Sequence, residues 1–243
     1  MPRIRRVSPD NCVHHVINRG NKKEVVFKES ADYKDFICLL AAACERVPMR
    51  ILAACVMNNH FHLVVWPARG VDLPAYMMWL MNAQIRRLQK RHGTVGLGHI
   101  YQGRYKNFLV QSDAHLYRVL RYVEANPLRA SLVQRAEDYR WSSLSRRLTP
   151  DGREYLSEWP VPRPANWGEY VNSGIPRDEL AALRTATQRG CPYGEASWVE
   201  SMIHDHRLES TVNPRGRQRR IILTDEDEEA NGEGTLEAQE SSI

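Results

Sequence analysis

Two histidines, a tyrosine and an asparagine form the most chemically suggestive set in this sequence. His60 and His62 are separated by one residue, and Tyr122 precedes Asn126 by four. In a strand both imidazoles would lie on one face, where they could share a divalent cation. In a helix the phenol and the amide would lie on one face as well. An enzyme that cleaves phosphodiesters through a phenolic oxygen needs such a set, because a cation neutralises the phosphate oxygens while the tyrosine attacks.

The elements that would position these residues can be predicted from hydrophobic periodicity. Residues 60–66 alternate as a strand, and Asn58 and Asn59 form the turn that joins them to the preceding strand. The predicted order is β-α-β-β-α-β-α, with the elements at 12–18, 30–47, 49–57, 60–66, 72–92, 106–110 and 112–126. This order predicts an α+β fold, in which a ferredoxin-like or RRM-like antiparallel sheet has helices packed on one face, with a small helical C-terminal extension.

The composition of the chain changes after residue 145. We expect a first domain at 1–145 and a linker rich in proline and glycine at 146–177. An accessory helical and basic extension that binds DNA is expected at 178–223, and an acidic disordered tail at 224–243.

Charge, apolar runs and cysteine spacing narrow the class of protein. The formal net charge is +5, but the tail at 224–243 carries eight acidic residues and no basic one. The remainder has 34 basic and 21 acidic residues, a net of +13, which favours a polyanionic partner. No apolar run reaches the ~18 to 20 residues of a membrane span, and no signal core follows the N-terminus, so we expect a cytoplasmic protein. The five cysteines form no C-x-x-C pair, which argues against a disulfide framework and a structural zinc site.

Four stretches of this sequence, in this order, resemble the single-tyrosine HUH transposases, and most closely their REP-associated tyrosine transposase branch (IS200-like). The stretches are at 14–21, 57–62, 101–106 and 120–130, and the resemblance covers roughly residues 10–145. Three positions depart from the family pattern. Asn58 stands where relatives usually have proline, Tyr101 where they have tryptophan, and Gln218 replaces the last proline of a C-terminal Pro-Arg-Gly-Arg-Pro arm.

The resemblance implies a function and a set of site residues. His60, His62 and Asn126 would bind a divalent metal ion, Mg²⁺ or Mn²⁺, and Tyr122 would be the nucleophile. The substrate would be single-stranded hairpin DNA, cleaved and rejoined through a 5′-phosphotyrosine intermediate by this transposase-type endonuclease. Basic residues near the motifs and in the arm that begins at 213 are candidates for DNA contact: Arg19, Arg86, Arg87, Arg104, Lys106, Arg215 and Arg217.

Several alternatives remain open from the sequence. The protein could be a hairpin-DNA-binding host regulator with little turnover, or an HUH nuclease of the replication or relaxase type. The short chain and the absence of a P-loop motif disfavour the latter. One of His14 and His15 must face the core, and either could contact DNA. The oligomeric state is open between a monomer and a homodimer in which the partner supplies Tyr122.

Overall fold

The structure is a computed structural model that describes residues 6–149 and 155–213. The strands are β1 (Val13–Arg19), β2 (Arg50–Val56), β3 (His60–Trp66) and β4 (Lys106–Val110). The helices are α1 (Ser30–Arg46), α2 (Asp72–His92), α3 (Ala114–Glu124), α4 (Asn126–Arg129), α5 (Ser143–Leu148), α6 (Trp167–Asn172), α7 (Arg177–Arg189), α8 (Ala196–His206) and α9 (Glu209–Val212). β3 and β4 have the bounds that the sequence predicts.

The strands form an antiparallel sheet with the ferredoxin-like topology that the sequence predicts. In the described residues the order across the sheet is β2-β3-β1-β4. In the β1–β3 register Ile17 lies opposite His62, and in the β1–β4 register Ile17 lies opposite Lys106. His62, Ile17 and Lys106 therefore form one row across three strands.

Helices α1 and α2 cover one face of the sheet. The core between them takes the alternate residues of β3, Phe61, Leu63 and Val65, all of them buried. α1 begins with a capping box between Glu29 and Asp32. α2 ends at Gly93, whose φ of 61° is a left-handed conformation that glycine adopts without steric cost.

The opposite face of the sheet is also covered, which differs from the expectation of helices on one face. A second core contains β-strand residues such as Leu52, Cys55 and Val64, and α3 contributes Leu116 and Val123. The physical reason is visible in β2, where apolar residues follow one another without alternation and are buried on both faces. A strand of this kind needs cover on both sides.

The segment expected to be a linker, 146–177, is packed in its described part. Trp167 and Val171 of α6 are buried in the second core, and Leu156 forms a bridge with Ile51 at the edge of the sheet. Proline-rich composition predicted flexible chain here, but the aromatic residues of the segment bury enough apolar surface to order it. The described residues up to Val212 form one compact unit. Among the described residues, no helix has the length and apolarity needed to span a membrane.

Candidate functional site

The two histidines of β3 lie on the face of the sheet that α3 covers. Their ring centroids are 5.0 Å apart with an interplanar angle of 80°. His62 is buried, whereas His60, the first residue of the strand, is partly exposed. A ligand can therefore approach the two histidines from the start of β3, where His60 is partly exposed.

Both imidazoles are held in the neutral form. Burial, together with the smaller effect of the positive charges of Arg19 and Arg129, lowers the pKa of His60 to about 4. The pKa of His62 lies well below its usual value, mainly because of burial. A histidine must be neutral to offer a lone pair to a metal, so the donor set fits a divalent cation.

His15 of β1 is the direct partner of His62. Its Nε2 lies 2.8 Å from His62 Nδ1 in the buried interior. Two nitrogen ligands of one metal ion such as zinc, each about 2.1 Å from it, are about 3 Å apart or more, so the shorter distance indicates a hydrogen bond. Burial lowers the pKa of His15 to about 3, so one ring nitrogen of a neutral pair carries the shared proton. This contact would fix the orientation of His62.

Helix α3 brings Tyr122 against the histidines. The helix begins after Asp113, whose carboxylate accepts a hydrogen bond from the backbone N–H of His115 at 2.7 Å. The ring of Tyr122 stands edge-on to His62, with centroids 5.8 Å apart, and lies 6.1 Å from the ring of His15. The tyrosine and the histidines therefore meet within a single chain.

Asn126 follows one turn later, but the helix does not continue to it as predicted. α3 ends at Glu124, and Asn126 is the first residue of α4. Pro127 has no N–H for the carbonyl of Val123, which an unbroken helix would require. The amide nitrogen of Asn126 donates to the carbonyls of Tyr122 at 3.0 Å and of Val123 at 3.4 Å. This leaves the amide oxygen as the atom that a cation would use.

Arg129 is a site residue that the sequence reasoning did not identify. Its guanidinium carbon lies 4.5 Å from the centroid of the Tyr122 ring, and Nη1 donates to the backbone carbonyl of Tyr122 at 3.4 Å. Arg129 is exposed, so its positive charge can interact with a phosphate as well as with the tyrosine ring. Its spacing of seven from Tyr122, two helical turns, was the signal available in the sequence.

Three of the predicted DNA-contacting residues lie at the same end of the sheet. Arg19 is opposite His60 in the β1–β3 register, and Lys106 is exposed in the row that contains His62. Arg104 is exposed two residues before Lys106. Gly20 allows the chain to pass closely at this end, because a Cβ there would lie 2.4 Å from the carbonyl oxygen of Glu24.

The structure does not bring the remaining predicted basic residues to this site. Arg86 and Arg87 lie on α2, which packs on the other face of the sheet, and Arg87 pairs with Asp35 at 3.4 Å. Arg215 and Arg217 lie outside the described residues, as does the acidic tail.

A second group of potential metal-binding side chains, Glu29, Asp32 and His92, lies at the start of α1. Their donor atoms are all within 4.8 Å of one another. However, the Asp32 carboxylate already accepts hydrogen bonds from the backbone N–H of Lys28 and from Arg91, each at 2.8 Å. These contacts join the start of α1 to the end of α2, so we interpret the group as a structural clamp.

Comparisons with known proteins agree with the fold described above. A family model described as "Transposase IS200 like" matches residues 8–126. A Haemophilus influenzae protein named "Putative REP-associated tyrosine transposase" is 25% identical over 137 residues, which are 53% of this chain and 77% of that protein. A solved structure of a REP-associated tyrosine transposase bound to a REP hairpin shares the fold, with a TM-score of 0.51 and 16% identity over 68% of this chain and 96% of that one. Residues 8–126, which are 119 of the 243 residues of the chain, are thus similar to the IS200-like transposases.

Proposed function

We propose that this protein is a metal-dependent endonuclease and transposase that cleaves and rejoins single-stranded hairpin DNA, with Tyr122 as the nucleophile. The observation that carries the proposal is the edge-on contact of Tyr122 with His62, 5.8 Å between ring centroids, within one chain. The match of residues 8–126 to the IS200-like family model supports the reaction class. The similar structure bound to a REP hairpin supports hairpin DNA as the kind of substrate.

His60 and His62 would hold a divalent ion such as Mg²⁺ or Mn²⁺ together with the amide oxygen of Asn126. A bound cation would neutralise the non-bridging oxygens of the scissile phosphate. The protein contributes two neutral imidazoles, because burial lowers the pKa of both. His15 holds His62 in one orientation through its 2.8 Å hydrogen bond.

The chemical step transfers the 5′-phosphate of the DNA to the tyrosine. The phenolic oxygen of Tyr122 loses its proton to solvent and attacks phosphorus, the bond to the 3′-oxygen breaks, and that oxygen takes up a proton as a hydroxyl. The ester preserves the energy of the broken bond, so a 3′-hydroxyl can attack it and rejoin the strand. The guanidinium carbon of Arg129 lies 4.5 Å from the centroid of the phenol ring. Its positive charge would stabilise both the attacking phenolate and the incoming phosphate.

Basic residues around this end of the sheet would guide the strand into the site. Arg19, Arg104 and Lys106 are the predicted DNA contacts that lie there. Phosphate contacts of this kind set affinity and its dependence on salt, and they do not read sequence. The basic arm that includes Arg215 and Arg217 remains a predicted further contact with the hairpin stem.

The test is the formation of a covalent protein–DNA adduct. The full chain is incubated with a labelled single-stranded hairpin and Mg²⁺ or Mn²⁺, and the adduct is separated under denaturing conditions. We expect Tyr122→Phe to form none while it still binds the hairpin, because the variant lacks only the attacking oxygen. Tyr76→Phe, on the other face of the sheet, is the matched control and should react as wild type does.

Two outcomes would contradict the proposal. An adduct in Tyr122→Phe would exclude this nucleophile, and mass spectrometry would then show whether Tyr105 or Tyr117 carries the DNA. Tight hairpin binding by the wild-type protein with no adduct in any metal would favour the alternative of a DNA-binding regulator.

A further inference from the structure

Helix α3 presents two buried charged residues on the side that faces away from the site. At about 100° per residue, Arg121 and Glu124 are about 100° and 160° around the helix from Tyr122. Arg121 is 4% exposed and Glu124 is fully buried. Neither takes part in the chemistry proposed above, and a charge is retained inside a protein only when it has partners.

Arg121 binds the C-terminal part of the chain through three kinds of contact. Its Nη2 lies 2.6 Å from a carboxylate oxygen of Glu179 in α7, and its Nη1 donates to the carbonyl of Gly174 at 3.2 Å. Its guanidinium carbon also lies 4.2 Å from the centroid of the Tyr170 ring. The planar guanidinium fits all of these contacts at once, which an ammonium group could not do.

Glu124 binds the same part of the chain through both carboxylate oxygens. Ser143 of α5 donates to one oxygen at 2.5 Å, and the indole N–H of Trp167 in α6 donates to the other at 2.6 Å. Trp167 is itself 1% exposed and packs against Trp159, with ring centroids 4.8 Å apart. The carboxylate is therefore held by two fixed donors.

Among the described residues, the side-chain contacts of this pair named above all involve residues beyond 126, where the match to the family model ends. They belong to a stretch from Ser143 to Glu179, which we call the α3 brace. The brace is joined to the sheet as well, because Ser157 donates its backbone N–H to the carbonyl of Ile51 at 2.8 Å. The helix that carries Tyr122 is thus connected through the brace to the sheet that carries the histidines.

We propose that Arg121 and Glu124 are positioning residues, which tie α3 to the brace and so hold the ring of Tyr122 against that of His62 in the same chain. The inference rests on the proposed role of Tyr122. The expected consequence is a loss of rate without a loss of DNA affinity when the brace contacts are removed, because a shift of about 1 Å in a reacting group can lower a rate by about 100-fold. The brace also favours a site that is complete within one chain.

The test uses two substitutions in the brace that leave α3 itself unchanged. Glu179→Gln removes the charge opposite Arg121, and Trp167→Phe removes the indole donor to Glu124 but keeps an aromatic ring. Arg184→Gln and Glu169→Gln, at exposed positions of α7 and α6, are matched controls. For each full-length variant we would measure the single-turnover rate of adduct formation at saturating hairpin, the Kd for hairpin in EDTA, and hydrogen exchange of the α3 amides.

We expect both brace variants to react about 10- to 100-fold more slowly, with Kd unchanged within about twofold and faster exchange in α3. The controls should match wild type. Arg121→Lys should react faster than Arg121→Ala, because it retains the charge but not the fork or the stacking.

Three results would overturn the proposal: a wild-type rate in both brace variants, a Kd that rises as much as the rate falls, or a slower rate with unchanged exchange in α3. If Trp167→Phe does not fold, Glu179→Gln decides alone. Tyr122→Phe in the same series separates this proposal from the proposed function. An inactive Tyr122→Phe beside fully active brace variants would reject the positioning role alone, whereas an adduct in Tyr122→Phe would reject the nucleophile.

Discussion

The two faces of the sheet give neighbouring histidines different hydrogen-bond partners. His14 and His15 are adjacent in β1, both are fully buried, and burial lowers the pKa of each to about 3. His14 lies within hydrogen-bonding distance of Ser8, at 3.3 Å, and of Asn107, at 3.2 Å, at the edge of the α1/α2 face. His15 lies on the α3 face and meets His62 at 2.8 Å.

With the roles proposed above, burial and a lowered pKa alone do not distinguish a structural histidine from one that orients a metal ligand. The partner makes the distinction. On the α1/α2 face the imidazole of His14 contacts the hydroxyl of Ser8 and the amide of Asn107. On the α3 face the imidazole of His15 orients that of His62. The ring of His62 stands edge-on to Tyr122, at the end of the sheet where basic residues lie.

The largest expected effect separates adjacent residues of β3. His62→Ala should abolish adduct formation and leave the protein folded, since the α3 face would lose a cation ligand. Leu63→Ala, in the α1/α2 core, should lower the free energy of unfolding by about 2 to 5 kcal/mol. Its adduct rate per folded molecule should equal that of wild type. Urea unfolding and single-turnover adduct assays on both variants make the measurement.

Chelation supplies the control for this pair. EDTA should reduce wild-type adduct formation to the level of His62→Ala, and added Mn²⁺ should restore it. A full rate of adduct formation by wild type in EDTA would mean that the reaction needs no metal ion, and that the histidines of the α3 face are structural, as His14 is on the other face.

The next effect separates His14 from His15. His15→Gln should weaken Mn²⁺ binding about 10- to 100-fold, because residues that orient a metal ligand typically contribute that much. His14→Gln should bind Mn²⁺ as wild type does. Titration calorimetry on both variants tests this without any measurement of activity. Equal affinities in the two variants would show that the 2.8 Å contact has no role in the metal site.

A smaller effect should be the same on both faces. The pKa of each buried histidine is lowered from about 6.5 when unfolded to about 3 when folded, so the unfolded chain binds more protons between these values. The free energy of unfolding should therefore fall as the pH drops below about 6.5, by about 2 kcal/mol per histidine at pH 5. The free energy of unfolding can be measured by urea unfolding in EDTA at pH 7 and at pH 5. The loss between the two pH values should be about 2 kcal/mol smaller in His14→Gln than in wild type. An unchanged difference would mean that His14 is protonated in the folded state.

Much of this architecture could be predicted from the sequence, because strand alternation and helical spacing are local properties. They gave β3 and β4 their bounds, set His60 and His62 on one face, and brought Tyr122 together with Asn126. The α+β class and the ferredoxin-like strand order are likewise confirmed. These features depend on residues that are close together in the chain.

The features that the sequence did not predict depend on contacts between distant residues. Periodicity shows that α3 has an apolar stripe, but not which face of the sheet the stripe covers. The unbroken apolar run of β2 was the available signal for a sheet buried on both faces. The proline content of 146–177 predicts a linker, whereas Trp159 and Trp167 pack in the second core. The ion pair of Arg121 with Glu179 joins residues 58 positions apart, which no local sequence pattern indicates.

The smallest expected effect compares two exposed arginines on the two faces. Arg129 lies beside Tyr122, whereas Arg87 lies on α2 and pairs with Asp35. Arg129→Ala should weaken hairpin binding about three- to tenfold and reduce the slope of log affinity against log salt by about 0.7, the value of one lost phosphate contact to a single strand. Arg87→Ala should change neither quantity, because its face of the sheet is closed by α1 and α2. Fluorescence anisotropy at several salt concentrations measures both the affinity and the slope.

A reduced slope in Arg87→Ala would mean that DNA also contacts the α2 side, as the basic end of that helix suggests from sequence. Equal slopes in wild type and Arg129→Ala would confine the role of Arg129 to its contact with the tyrosine ring.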